Sequence, residues 1–110
     1  MITFPEISSL PLLQKYVAEK CKERGFNKAE DLETYLLLTE EIGEMAKAIR
    51  KRRKLFTAEG GAADRKAQEQ LAEEMADVLS YLLELANRFG IDLEKAFRDK
   101  EAINDTRSWT

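Results

Sequence analysis

Histidine is absent from the 110-residue sequence, and cysteine occurs once, as Cys21. The lack of histidine excludes Ser-His-Asp and Cys-His catalysis, histidine general bases and imidazole metal ligands. A lone cysteine cannot form an intrachain disulfide, and it gives no sign of an oxidising compartment. Any chemistry in this chain must therefore depend on carboxylates, amines, guanidinium groups, hydroxyls or a bound metal ion.

Long apolar runs and an excess of basic residues are also missing. No segment has transmembrane length without charges, and no charged leader precedes a long apolar run, so we expect no membrane association and a cytoplasmic location. Charged residues make up 35% of the chain, yet the net charge is only −3. Because no basic surplus exists to hold a phosphate backbone, we expect no nucleic-acid partner.

Proline and glycine are scarce, with two and five copies, while alanine, leucine, glutamate and lysine are abundant. This composition favours helix, and the length suits a single domain over residues 1–110. The apolar periodicity predicts an all-α fold, a four-helix bundle. The first helix runs from about Leu10 to Arg24, the second follows Asn27 and ends near Leu55, the third follows Asp64 and ends near Phe89, and the fourth runs from Leu93 to about Asn104.

Capping residues support the helix boundaries. Ser9 is a candidate N-cap with Pro11 in the first turn, and Asn27 with Glu30 resembles a capping box for the second helix. Gly25 and Gly90 are candidate stops. Asp64 and Asp92 are candidate N-caps for the last two helices. The segment 57–63 contains two adjacent glycines and little apolar content, so we expect a flexible loop there.

The apolar side chains predict which faces are buried. The second helix has an expected core stripe of Tyr35, Leu38, Ile42, Met45, Ala46 and Ile49. The third helix is apolar nearly all round between Val78 and Ala86. A helix of that kind must be buried nearly all round, which is hard for so short a chain on its own. We therefore expect a homodimer or homotetramer, with a central helix of a monomeric bundle as the alternative.

Acidic residues are paired on the second and third helices. Glu41 and Glu44 are three residues apart, as are Glu74 and Asp77, so each pair lies on one helical face. Antiparallel packing of the two helices would bring the four carboxylates together beside apolar neighbours. Crowded carboxylates repel one another unless a proton or a cation neutralises them, and hard oxygen ligands suit Mg²⁺ or Mn²⁺.

The ordinary alternative is that these acids are solvated, because glutamate is a strong helix former. That alternative is the better one for any single acid, whereas the paired spacing on two helices favours a site. Glu40 and Glu73 could belong to the site or lie exposed beside it.

The segments Glu40-Glu41-Ile42-Gly43-Glu44 and Glu74-Met75-Ala76-Asp77 resemble the EExxE…ExxD signature of the MazG-like, all-α nucleoside triphosphate pyrophosphohydrolases. The resemblance extends from about Leu36 to Trp109. It includes the helix lengths, the intervening loop and the Gly90-Ile91-Asp92-Leu93 entry to the last helix.

The resemblance implies Mg²⁺-dependent hydrolysis of a nucleoside triphosphate to the monophosphate and pyrophosphate, as in nucleotide-pool house-cleaning. It also implies that the metal is held by Glu41, Glu44, Glu74 and Asp77. Bridging cations would turn the repulsion between carboxylates and triphosphate into attraction and would activate a water molecule. Glu40, Glu41 and Glu73 are the candidate catalytic residues, and either Glu40 or Glu73 could orient or deprotonate that water.

Substrate-binding candidates lie near the two ends of the sequence. Lys100, Asn104 and Arg107 would form one stripe if the last helix continued that far. Similar Lys…Asn…Arg tails in the family contact the nucleotide. Phe4 and Trp109 are candidates for covering the base, although most aromatic side chains here will pack in the core or an interface.

Two other interpretations stay open at this point. The phosphoribosyl-ATP pyrophosphohydrolases share the fold and the acidic pattern, but they tend to carry a histidine shortly after the aspartate, where this sequence has Val78-Leu79-Ser80-Tyr81. The other alternative is a non-catalytic helical oligomerisation module whose acids are surface charge.

Overall fold

Four α-helices make up the secondary structure that the computed structural model describes. It describes residues 2–6, 8–25, 30–58 and 61–107, with the side chains of 54–58 and 61–64 left out. The helices are α1 (Leu10–Glu23), α2 (Asp31–Ala58), α3 (Gly61–Arg88) and α4 (Leu93–Asn104). The predicted all-α, four-helix architecture is confirmed, and no described residue lies in a strand.

Most helix ends lie where the capping residues predict them. The Ser9 hydroxyl accepts a hydrogen bond from the Leu12 amide at 3.4 Å, and Asp92 accepts one from the Lys95 amide at 3.1 Å. Gly90 has a φ of +65°, which L side chains rarely adopt. The Ile91 amide then bonds the Ala86 carbonyl at 2.9 Å, so the end of α3 is a Schellman motif.

Two predicted boundaries were wrong. Helix α2 begins at Asp31, because Glu30 precedes the helix and its carbonyl accepts from the Thr34 amide at 3.0 Å. Glu30 is therefore not the third helical residue that a capping box needs, and Asn27 lies outside the described residues. Helix α2 continues to Ala58 and α3 already begins at Gly61, so the expected loop over 57–63 is shorter and Asp64 lies inside a helix.

The chain divides into two compact units, and α3 contributes to both. One unit combines Met1–Ala29 with Leu83–Thr110, and the other is Glu30–Leu82. The first unit holds α1, the end of α3 and α4. The second holds α2 and most of α3, here called the helical hairpin. None of the described helices has the length and apolar character that a membrane crossing needs.

The two arms of the hairpin run antiparallel. The Arg52 Nε donates to Gln68 Oε1 at 2.9 Å, and Glu41, eleven residues earlier on α2, lies beside Glu74 and Asp77, further along α3. The buried residues Thr34, Leu38 and Ala48 share one helical face of α2 with Glu41, and buried Ala67 shares a face of α3 with Glu74. We infer that these two faces are the line along which the arms meet. The antiparallel packing that the acidic pattern required is therefore present.

The core stripe predicted for α2 was partly wrong. Leu38 is buried as expected, but Tyr35, Ile42 and Ile49 are 53%, 45% and 39% exposed. At 100° per residue, these three lie roughly a quarter turn away from the line that faces α3. The prediction failed because α2 carries two neighbouring stripes, and the one that meets α3 contains small and polar residues.

A matching exposed stripe lies on α3, where Met75, Leu79 and Leu82 are 49%, 43% and 41% exposed. Viewed along α3, this stripe is rotated away from the line that faces α2. The exposed stripe on α2 is rotated from its own contact line in the same direction. In an antiparallel pair, equal rotations of this kind bring both stripes to the same side. We call this side the apolar face; it consists of Tyr35, Ile42, Ile49, Met75, Leu79 and Leu82.

Candidate metal centre

Three carboxylates converge where the arms of the hairpin meet. One oxygen each of Glu41, Glu74 and Asp77 lies within 4.8 Å of the other two. Glu41 projects from α2, while Glu74 and Asp77 project from adjacent turns of α3. Glu41 and Glu74 are half-buried and Asp77 is exposed, so the cluster has walls of protein and an open side.

The electrostatics of the cluster are repulsive. Burial raises the pKa of Glu41 above its ordinary value, and the nearby charge of Asp77 raises it further. A hydrogen bond with Glu74 and the charges of Glu74 and Glu40 act in the same direction. The folded chain therefore holds Glu41 where its ionised form is disfavoured, a condition that a cation among the three carboxylates would relieve.

The donor set fits a hard divalent cation. All three donors are carboxylate oxygens, which Mg²⁺ and Mn²⁺ prefer, and the described residues offer no sulfur at this point. Adjacent ligands of an octahedral Mg²⁺ lie about 3 Å apart. The three carboxylate oxygens, each within 4.8 Å of the others, would therefore draw closer by side-chain rotation to share one cation.

Glu44 is the fourth predicted ligand, and it is not one of the three clustered residues. It lies one turn beyond Glu41 on α2 and is exposed. Asp77 and Glu44 are both rotated from the contact line of their helices in the direction opposite to the apolar face. Glu44 therefore borders the open side of the cluster, and its role as a ligand stays a prediction.

Glu40 and Glu73, the two uncertain acids, are exposed on α2 and α3 respectively. Glu40 is close enough to Glu41 for its charge to raise the Glu41 pKa. Glu73 directly precedes Glu74 in the chain, but its side chain is not part of the three-carboxylate cluster. Their catalytic assignments, like that of Glu41, stay predictions.

The predicted basic stripe belongs to the other unit. Lys100 is exposed on α4, and Asn104 is the half-buried last residue of that helix. Arg107 lies beyond the helix, so the three residues are not one continuous helical stripe. The chain nevertheless keeps winding, because the Arg107 amide bonds the Asn104 carbonyl at 3.0 Å.

Asn104 has an unusual side chain within this group. Its Oδ1 is shielded from solvent and has no hydrogen-bond donor among the described residues. A buried carbonyl oxygen without a donor is costly, so such atoms in native proteins call for an explanation. A ligand that brings a donor is one explanation.

Of the two aromatic candidates for base binding, only Phe4 lies among the described residues. Phe4 packs edge-on against Tyr16 of α1, with ring centroids 5.1 Å apart and planes at 64°, while 57% of Phe4 stays exposed. The Tyr16 ring also lies 5.9 Å from the Lys20 ammonium. Trp109 lies outside the described residues.

The sequence reasoning missed Gln14 and Asn87, whose side-chain amides form a polar network in the first unit. Gln14 is buried on the apolar side of α1, between Leu13 and Val17. The one available signal was a glutamine inside an apolar helix face, since buried amides are normally hydrogen-bonded.

The fold and the site together define an all-helical protein whose antiparallel hairpin presents a carboxylate cluster suited to a hard divalent cation. The family model described as the MazG nucleotide pyrophosphohydrolase domain matches residues 29–104. That match covers more than half of the chain, which therefore belongs to the MazG family, as the acidic motifs indicated.

A curated relative supports the same family. The chain is 41% identical over 76 residues to a protein of Cyanophage S-2L named dATP/dGTP diphosphohydrolase. The match covers 69% of this chain and 55% of the relative. The chain thus spans about half the length of the relative.

Proposed function

We propose that this protein hydrolyses nucleoside triphosphates to the monophosphate and pyrophosphate, with a divalent cation as cofactor. The convergence of Glu41, Glu74 and Asp77 across the helical hairpin carries the proposal, because these residues belong to the segments that resemble the family's acidic motif and their oxygens lie within 4.8 Å. The name of the phage relative makes dATP and dGTP the first substrates to test.

Mg²⁺, or Mn²⁺ in its place, is the proposed cofactor, held by Glu41, Glu74 and Asp77 with Glu44 as a fourth ligand. When bound, such a cation polarises phosphoryl oxygens and lowers the pKa of a coordinated water. Glu40 and Glu73, beside the cluster, are the proposed residues that orient the attacking water or accept its proton.

The proposed substrate contacts come from the C-terminal region. Lys100 and Arg107 would bind phosphate oxygens and stabilise the charge that develops on departing pyrophosphate. Asn104 would receive a hydrogen bond from the nucleotide at its shielded Oδ1. Phe4 and Trp109 are the proposed side chains against the base.

A single catalytic domain of this kind would act in the cytoplasm on the nucleotide pool, as a house-cleaning enzyme that needs neither nucleic acid nor membrane.

The proposed attack occurs at the α-phosphorus, so the water oxygen ends in the monophosphate. Hydrolysis of dATP in ¹⁸O-labelled water, followed by mass spectrometry, tests this. Label in the pyrophosphate, or orthophosphate and dADP as first products, would disprove the proposed reaction.

We also propose that the apolar face is covered by a second copy of the chain, giving a homodimer or a dimer of dimers. Six large apolar side chains that are between 39% and 53% exposed form one surface. Exposure of so much apolar area to water is unfavourable, and burial in an interface would remove it. A twofold axis would let the same surface pair with itself, leaving the open side of the acidic cluster free.

Sedimentation equilibrium at micromolar concentration tests the assembly. We expect no substantial monomer for the wild type and a clear shift toward monomer for Leu79→Asp, which places a charge in the middle of the apolar face. Lys47→Asp, on the side of α2 away from the apolar face, is the control. A monomeric wild-type protein would contradict the assembly.

A further inference from the structure

Gln14 of α1 is joined to the turn between α3 and α4. This side chain is only 7% exposed. Its Nε2 donates to the Ile91 carbonyl at 2.8 Å and to Asn87 Oδ1 at 3.1 Å, while its Oε1 accepts from the Leu93 amide at 2.9 Å. Both N–H groups of the amide are thus used. Asn87 Nδ2 also donates to the Gln14 backbone carbonyl at 2.8 Å. We call Gln14 and Asn87 the amide clamp.

The amide clamp binds the backbone on both sides of Asp92. The Ile91 carbonyl and the Leu93 amide flank Asp92, whose extended backbone (φ −84°, ψ 105°) lets one side-chain amide reach both groups. Glutamine alone among the common side chains of this length offers a donor and an acceptor together. The first turn of α4 is therefore attached to α1 through a geometry that few substitutions could reproduce.

Helix α4 packs against α1, but it contributes no fully buried residue to that contact. All twelve of its residues are described, and none of them is buried. Two of its three large apolar side chains, Phe97 and Ile103, are 65% and 51% exposed, and the third, Leu93, is half-buried. A helix usually keeps its place through a buried apolar face, so an attachment at its start carries unusual weight here.

The proposed substrate-binding residues lie at the far end of this helix. Asn104 ends the helix that Leu93 begins, and the two are about 16 Å apart along the axis at 1.5 Å per residue. A change of about 10° in the direction of α4 at the clamp would thus move Asn104 by roughly 3 Å. A displacement of that size breaks hydrogen bonds to a substrate.

We propose that Gln14 is a positioning residue for nucleotide binding: it fixes the direction of α4 and thereby places Lys100, Asn104 and Arg107. The inference rests on the proposed function, since it assumes that these three residues bind substrate. Gln14 touches no substrate itself. Because the carboxylate cluster belongs to the other unit, loss of the clamp weakens substrate use while metal binding is kept.

Two substitutions test the clamp. Gln14→Leu keeps the approximate volume and removes every hydrogen bond of the side-chain amide. Gln14→Glu keeps an acceptor for the Leu93 amide and removes both donors, so it serves if the leucine variant does not fold. We expect KM for dATP to rise about tenfold for Gln14→Leu and less for Gln14→Glu. We expect kcat to fall as well, because Lys100 and Arg107 are also proposed to stabilise the departing pyrophosphate, and Mg²⁺ affinity to stay unchanged.

Val17→Ala is the matched control, because Val17 is a similarly buried residue of α1, at 9% exposure, that makes no hydrogen bond to the turn. It lowers stability and should leave KM at the wild-type value. Hydrogen exchange tests the clamp without measuring turnover. The Leu93 amide should exchange faster than in wild type in Gln14→Leu, and at the wild-type rate in Val17→Ala.

The inference is overturned if Gln14→Leu keeps KM within twofold of wild type, or if Val17→Ala raises KM equally. Lys100→Ala and Arg107→Ala separate this outcome from failure of the proposed function. If both leave KM unchanged, α4 does not bind substrate and the assumption beneath the inference is wrong. If they raise KM and Gln14→Leu does not, only the positioning role is wrong.

Discussion

The carboxylate cluster of the helical hairpin and the amide clamp of the other unit differ in how their polar side chains are satisfied. In the helical hairpin, burial raises the pKa of Glu41, and its acidic neighbours raise it further. In the other unit, the amide clamp is made of four mutually supporting hydrogen bonds, and buried Glu84 is paired with Arg88 at 2.8 Å. Satisfied buried groups stabilise a fold, whereas crowded like charges cost stability. The contrast distinguishes a centre suited to a cation from a network that orients helices.

The largest effect should come from neutralising the carboxylate cluster. Glu41→Gln, Glu74→Gln and Asp77→Asn should each lower the turnover of dATP about 10²–10³-fold, because each removes a charged oxygen that holds the cation. Pyrophosphate release measures turnover, calorimetric titration measures Mg²⁺ binding, and circular dichroism checks that the helices persist.

Two further variants sharpen this test. Glu69→Gln, an exposed glutamate of α3 outside the cluster, is the control and should behave as wild type. Glu44→Gln decides between three and four ligands: a loss as large as that of Glu74→Gln would add Glu44 to the site. Near-wild-type turnover in all the cluster variants would mean that these acids are surface charge.

An intermediate effect should come from α4 and the turn after it. Lys100→Ala and Arg107→Ala should each raise KM for dATP about tenfold, since a hydrogen bond to a charged group contributes about 1.5–3 kcal/mol. Mg²⁺ affinity should not change, because no cluster carboxylate is altered. Lys95→Ala is the matched control, because the Lys95 ammonium is already paired with Asp99 at 2.7 Å on the same helix. Equal effects of all three variants would argue for a general loss of positive charge.

The smallest effect concerns stability without metal. Because the Glu41 pKa is raised in the folded state, the folded protein binds that proton more tightly, and stability falls as pH rises above the ordinary glutamate range, about 4.3. Glu41→Gln removes this cost, so its Tm near pH 7 should exceed that of metal-free wild type by about 1–3 °C.

This gain should disappear at low pH, where Glu41 is protonated in both states. Added Mg²⁺ should raise the Tm of the wild type and not that of Glu41→Gln, because only the native wild-type site binds it. Thermal scans at several pH values, with and without Mg²⁺, measure both effects. A Tm of Glu41→Gln below that of metal-free wild type at neutral pH would show that Glu41 stabilises the apo fold instead.

Much of the fold could be predicted because its signals are local. Ser9 and Asp92 cap helices, and Gly25 and Gly90 end them, since each acts on backbone groups within four residues. The start of α2 was harder to predict, because Asn27 and Glu30 fit a capping box that the helix, beginning at Asp31, does not use. The other wrong boundary, the connection between α2 and α3, arose because two adjacent glycines predicted a longer loop.

The acidic site was partly predictable for a related reason. The i, i+3 spacing places Glu74 and Asp77 on one face of α3, whatever surrounds them. Which residues of α2 they meet depends on the rotation of that helix, and here Glu41 joins them while Glu44 lies outside the cluster. The same rotation exposes Ile42 and Ile49, which apolar periodicity alone had assigned to the core.

The sequence by itself determined the four helices, the caps of α1 and α4 and the two acidic motifs, because backbone propensity and helical spacing depend on near neighbours. Only the tertiary structure decided which of two adjacent stripes on α2 faces α3, which carboxylates converge, and that Gln14 binds the turn before α4. Those outcomes depend on contacts between residues far apart in the chain, and Gln14 with Leu93 is the clearest case. Periodicity describes one helix at a time and carries no information about the partner that a face will meet.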